Sequence, residues 1–66
     1  MNAPNQLISF LIDAYVHSET KRRIMKRALC DDKKPCELED EFGYSTRTIE
    51  RYIKEGKDML KEKMSV

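Results

Sequence analysis

The stretch "EFGYSTRTIERYI", residues 41–53, stops one apolar helical pattern at a glycine and opens another behind a serine. Gly43 directly follows Phe42, where a left-handed residue commonly closes a helix. Ser45 is then placed to cap the next helix by accepting a backbone N–H from Arg47 or Thr48. Upstream, Pro35 suits the first position of a helix, where its missing N–H costs nothing. The spacing therefore predicts a short helix over 35–42, with Leu38 and Phe42 facing inward. A longer helix follows over about 45–62, with Ile49, Tyr52, Ile53, Gly56, Leu60 and Met64 on its inner stripe. Its outer face carries Thr46, Arg47, Glu50, Arg51, Lys54, Lys57, Asp58 and Lys61. The i, i+4 pairs Arg51–Glu55 and Lys54–Asp58 are expected there, each adding about 0.2–0.5 kcal/mol.

Two further helices precede this pair. In "NQLISFLIDAYV", residues 5–16, Leu7, Ile8, Leu11 and Tyr15 follow the helical period. Phe10, Ile12, Ala14 and Val16 widen the apolar zone almost all round. Core burial is the first expectation for so apolar a helix. Burial against a second copy or another protein is the alternative, with Phe10, Leu11 and Ile12 as the partner surface. Ser18 caps the next helix and Glu19 sits in its first turn. Ile24, Met25, Ala28 and Leu29 form the inner stripe of that helix, which Lys21, Arg22, Arg23, Lys26 and Arg27 otherwise cover. The fold class is thus all-α: one domain over 1–66, a small bundle of about four helices. It comprises an apolar N-terminal helix (1–17), a core (18–62) and a tail (63–66) expected to fray.

A chain of 66 residues buries only about 60% of its extended surface on folding, which leaves little room for a catalytic cleft. No paired carboxylates converge, and there is no phosphate-cradling glycine loop and no Ser–His–Asp set, so the chain does not read as an enzyme. No cofactor or small-molecule substrate is implied. His17, Cys30 and Cys36 match no zinc spacing, so no metal is expected; Cys36, near a helix N-terminus, is the one thiol with a conceivable redox role. No run approaches the roughly 20 apolar residues of a membrane span. The N-terminus lacks the marks of a signal peptide, and two cysteines fit a reduced, cytoplasmic setting. The net charge of +1 is unevenly spread: −1 from Asp13 over residues 1–17, +4 over residues 18–36, −4 from Glu37, Glu39, Asp40 and Glu41, and +2 over residues 44–66. One positive face fits that pattern better than a basic tail.

A short helix, a glycine corner, a capping serine and a longer helix make the helix-turn-helix layout. The bland alternative is an αα-corner in a small bundle. Residues 19–60 carry more than the corner, as "RRIMKRAL" followed by "DDKKPCELEDEFGYSTRTIERYIKEGKDML". These segments resemble region 4 of bacterial sigma factors. They are still more similar to the sigma-like domains of small phage transcription regulators of the ArpU type. Leu38, Phe42, Gly43, Tyr44, Ser45, Thr48, Ile49 and Leu60 occupy corresponding places, without a gap across the corner. Two positions depart from the pattern. Glu39 stands where alanine is usual under the recognition helix, and must reach solvent or pair with a base such as Arg51, unless the helices cross differently. Gly56 also replaces an alanine, at a cost of about 1 kcal/mol of helix propensity.

The resemblance implies a sequence-specific DNA-binding transcriptional regulator of phage or mobile-element type, acting on double-stranded DNA. Thr46, Arg47, Glu50 and Arg51 would read bases, and the chemistry agrees. Arginine forks onto guanine, glutamate accepts from cytosine N4 and threonine meets a thymine methyl. Ser45, Thr48, Lys54 and Lys57 would hold phosphates, with Lys33 and Lys34 on the flank. So small a module needs a homodimer or a larger machine such as RNA polymerase, contacted through the N-terminal helix. The alternative function is a sigma-like protein-interaction module that docks on RNA polymerase or another regulator without reading DNA.

Overall fold

The structure, a computed structural model, describes residues 5–64. Among these there are four helices and no strand: α1 (Asn5–Tyr15), α2 (Glu19–Leu29), α3 (Pro35–Phe42) and α4 (Thr46–Met64). The punctuation is local and chemical. Ser18 is extended, and its Oγ accepts the Lys21 N–H at 3.3 Å. Pro35 opens α3, while Glu37 Oε1 accepts the Lys34 N–H at 3.2 Å. Lys34 has no side-chain acceptor to return the bond, so only half a capping box forms. Gly43 is left-handed at φ 75° and sends its N–H back to the Glu39 carbonyl. An added Cβ there would meet nothing within 4 Å, so the backbone angle, not lack of space, favours glycine. Ser45 Oγ accepts the Thr48 N–H at 3.3 Å and donates to Thr48 Oγ1 at 3.1 Å, capping α4.

α2 and α4 together are the hub. Each contacts all three other helices, whereas α1 and α3 make no contact with each other. Ile24, Leu38, Ile49 and Ile53 form one core cluster, flanked by Ala28, Leu29, Phe42 and Tyr52. Ile12, Val16 and Met25 form the other, flanked by Ile8, Leu29 and Met59. Leu29 belongs to both and joins them.

Expectations are corrected at both ends of the chain. In α1 the inward row is Ile8, Ile12 and Val16 with Leu11, while Leu7 and Tyr15 are exposed. Both i, i+4 rows satisfy the helical period. α1 leans on α2 and α4 together, so its buried arc covers the aliphatic row and leaves the Tyr15 hydroxyl in water. Leu11 and Ile12, expected on a partner surface with Phe10, are therefore core residues, and of the three only Phe10 is exposed. At the other end, α4 stays helical to Met64, beyond the expected start of fraying, and Lys63 Nζ lies 4.4 Å over the Tyr15 ring. Met64, assigned to the inner stripe, is exposed. Residues 65 and 66 of the expected tail lie outside the described residues.

Gly56 is buried where α2 and α4 approach. A Cβ on it would lie 2.9 Å from Met25 Cγ and 3.1 Å from Met25 Sδ. Its helix-propensity cost thus coincides with a close packing contact rather than a loose position. Gly56→Ala should gain about 1 kcal/mol of propensity against about 1–3 kcal/mol of overpacking on Met25. The expected net loss is about 1 kcal/mol. In a Met25→Ala background the same change should instead stabilise by about 1 kcal/mol. Urea unfolding of the four proteins, in trimethylamine N-oxide so that each stays folded, checks the change of sign.

Candidate nucleic-acid interface

The buried residues Ile49, Ile53, Gly56 and Leu60 fix which way α4 faces. Arg47, Glu50, Arg51, Lys54, Lys57, Asp58 and Lys61 are consequently turned to solvent along the opposite side. The start of α4 is further held by Tyr52. Its ring meets Tyr44 edge-on at 6.3 Å, with Lys21 Nζ 5.0 Å from its centroid.

Among the described residues, the side chains of Arg47, Glu50 and Arg51 have no hydrogen-bond or ion-pair partner, and neither do those of Lys54 and Lys57. The expected i, i+4 pairs Arg51–Glu55 and Lys54–Asp58 do not form. Glu55 instead meets Lys21 of α2 at 3.3 Å, a partner that position in α4 alone does not reveal. Thr46 differs from its neighbours: it is half-buried, and its hydroxyl donates to Glu39 Oε2. That contact answers the question raised by Glu39. The carboxylate is exposed at the surface and binds the first turn of α4, rather than being crowded beneath it.

The phosphate-contact candidates divide in the same way. Ser45 and Thr48 are bonded to each other. Lys33 pairs with Glu37 at 3.8 Å, while the Lys34 side chain is exposed and without an ion pair. Pro35 lines one shallow groove with Glu50, Ile53, Lys54 and Lys57, so the loop carrying Lys34 borders the middle of α4. Lys61 continues the basic row beyond Lys57. Its i, i+4 spacing from Lys57 is readable from the sequence.

Elsewhere the cations are mostly consumed inside the fold. Arg22 donates to the Val16 carbonyl at 2.8 Å, and Lys26 meets Asp13 at 2.7 Å. Arg27 forks onto Glu41 at 2.7 and 2.9 Å and also reaches Asp31 at 2.9 Å. Among the described bases of α2, Arg23 alone keeps a side chain without a polar partner. The strongly basic segment of the sequence is therefore not the free basic face; α4 is.

Cys36 is exposed, and Cys30 is half-buried with its thiol directed to the Asn5 carbonyl at 3.7 Å. Burial pushes the Cys30 thiol up from its ordinary value. Among the described residues no group of three or more His, Cys, Asp or Glu could hold a metal ion. No described helix is long and apolar enough to cross a membrane. No family model matches the chain, and comparison with curated proteins and with solved structures finds no match.

The Arg27 fork joins α2 to α3 and makes a pH-dependent clamp. Hydrogen bonding from Arg27 holds the Glu41 carboxyl below its ordinary value near 4.5 and raises Arg27 in turn. A lowered carboxyl contributes stability that is complete above the ordinary value and is lost as pH falls through the lowered one. Glu41→Gln should therefore destabilise at pH 6 and lose less stability than the parent between pH 5 and pH 2.5. Urea midpoints across that window measure the difference. Equal pH slopes in the two proteins would show that the fork carries no linkage.

Proposed function

We propose that the chain is a sequence-specific DNA-binding transcriptional regulator in which α3, the Gly43–Ser45 corner and α4 act as a helix-turn-helix. The observation that carries this is the row of unpaired bases Arg47, Arg51, Lys54 and Lys57 on a helix whose inner side is locked in the core. Arg47 and Arg51 lie in the first two turns, where a recognition helix approaches base edges. Each offers a planar fork to guanine O6 and N7, and Glu50 between them offers an acceptor to cytosine N4. Lys54, Lys57 and Lys34 take phosphates and set register without reading sequence. Lys33 joins them only by releasing Glu37. The phage or mobile-element type and the cytoplasmic setting rest on the resemblance to sigma-like regulators.

About three phosphate contacts give a salt slope near −2.7, so affinity should drop about fortyfold between 50 and 200 mM salt. Base discrimination by each good arginine fork is worth about 1–3 kcal/mol.

The rival function, docking on RNA polymerase or another regulator, draws support from the carboxylates of α3. Glu39 in particular places a negative charge beside the first turn of α4, where a phosphate would approach. Duplexes selected from a random pool, followed by mobility shifts at two salt concentrations, separate the two. DNA recognition requires a specific complex that Arg47→Ala and Arg51→Ala each weaken about tenfold or more while circular dichroism stays unchanged. Glu39→Gln should strengthen the same complex several-fold, by removing charge repulsion while leaving an acceptor for the Thr46 hydroxyl. Failure of the pool to enrich any sequence would refute DNA reading and leave protein docking as the better account.

A further inference from the structure

α1 carries a surface that neither core nor α4 explains. Leu7, Phe10 and Ala14 are all exposed, Phe10 at 65% and Leu7 at 40%. Their i, i+3, i+7 spacing places them in one seam along the helix, the spacing with which paired helices meet. Tyr15 lies to one side, its ring already under Lys63. Beside Phe10 an open groove runs between α1 and α2, lined in part by Ser9, Asp13, Lys26 and Cys30.

We propose that this seam is a dimer interface, covered by α1 of a second copy of the chain. Charge favours that occupant. Asp13 is the one charged side chain on α1, and Lys26 of the same chain neutralises it at 2.7 Å. Two such faces meet without like-charge repulsion, whereas a strongly acidic or basic partner finds no unpaired charge to select it. The seam is also self-complementary. In a two-fold arrangement the Phe10 ring of each copy enters the groove beside the other's Phe10, an isologous contact made twice. An interface at the lower edge of the specific ones, roughly 1,000 Å² in all, requires about a tenth of the 4889 Å² surface of each copy. So small a contact makes a weak dimer. The surface of α1 carries this inference independently of DNA binding. If both hold, the dimer supplies the second recognition helix that a two-half-site operator needs.

Sedimentation equilibrium of the full chain without DNA tests it. The mass should rise with concentration from 7.8 kDa toward twice that value. Phe10→Glu and Ala14→Glu, both at exposed positions, should stay at the monomer mass with unchanged helical circular dichroism. Mixing Phe10→Glu with Phe10→Lys should restore the doubled mass, because opposite charges then face each other near the two-fold axis. A wild-type chain that remains monomeric at about 1 mM overturns the proposal, as does a Phe10→Glu chain that still dimerises. Should the charged variants unfold, uncharged Phe10→Gln at the same exposed position replaces them: a folded Phe10→Gln chain that dimerises as readily as the parent also overturns it. None of these outcomes depends on whether the pool selection enriches a DNA sequence.

Discussion

The contact between Met25 and Gly56 sets the spacing on which the rest of the structure depends. Met25 is almost fully buried, and it fills the space that a side chain at position 56 would take. This brings α2 close to α4, and two consequences follow. Ile24, one residue earlier, enters the cluster of Ile49, Ile53 and Leu38 and so ties α3 to the pair. On the other side, Met25 joins Ile12 and Val16, so α1 is held by the same turn of α2. A chain this short has no second core in reserve. One turn of one helix thus couples both clusters, and the direction in which α4 presents its outer side follows from that coupling.

Pairing then redistributes the charge. The sequence places its greatest excess of bases on α2 and the loop after it, yet in the fold Lys21, Lys26 and Arg27 answer Glu55, Asp13, Glu41 and Asp31. Isolated surface ion pairs contribute little to stability, but they still cancel one another's field over any distance longer than the pair. On the outer side of α4, Arg47, Arg51, Lys54, Lys57 and Lys61 outnumber Glu50 and Asp58, and none of these bases has an ion pair among the described residues. A nearly neutral molecule thereby acquires one directional basic ridge.

Legibility in the sequence followed the range of the interactions. Pro35, Gly43, Ser18 and Ser45 act on backbone groups a few residues away, and the boundaries of α2 and α3 were readable from them. The inner side of α4 was readable for the same reason, since one i, i+3, i+4 stripe had no competitor there. In α1 two apolar rows competed, 7–11–15 and 8–12–16, and only the position of α2 and α4 chose between them. The ion pairs lay out of reach altogether. Glu55 and Lys21 stand far apart in sequence, and the expected helical partner Arg51 was the nearer candidate. For the candidate site, the identity of the exposed bases was therefore legible, and the loss of Thr46 to Glu39 was not.

That last contact bears on how α4 can meet any partner. A threonine whose hydroxyl is held by a carboxylate is a poor contact for a base edge or a phosphate, because the carboxylate comes with it. Arg47 and Arg51, on side chains long enough to extend past Glu39, are less hindered. An approach centred on Arg51 and Lys54 rather than on the first residue of α4 keeps the carboxylate at the rim, where water screens it. The corner residues would then brace the helix rather than touch the ligand. Ser45 and Thr48, already bonded to each other, are suited to that bracing. The bonding pattern within the first turn thus argues for a contact surface displaced by about one turn toward the C-terminus of α4, onto side chains that the fold leaves without partners.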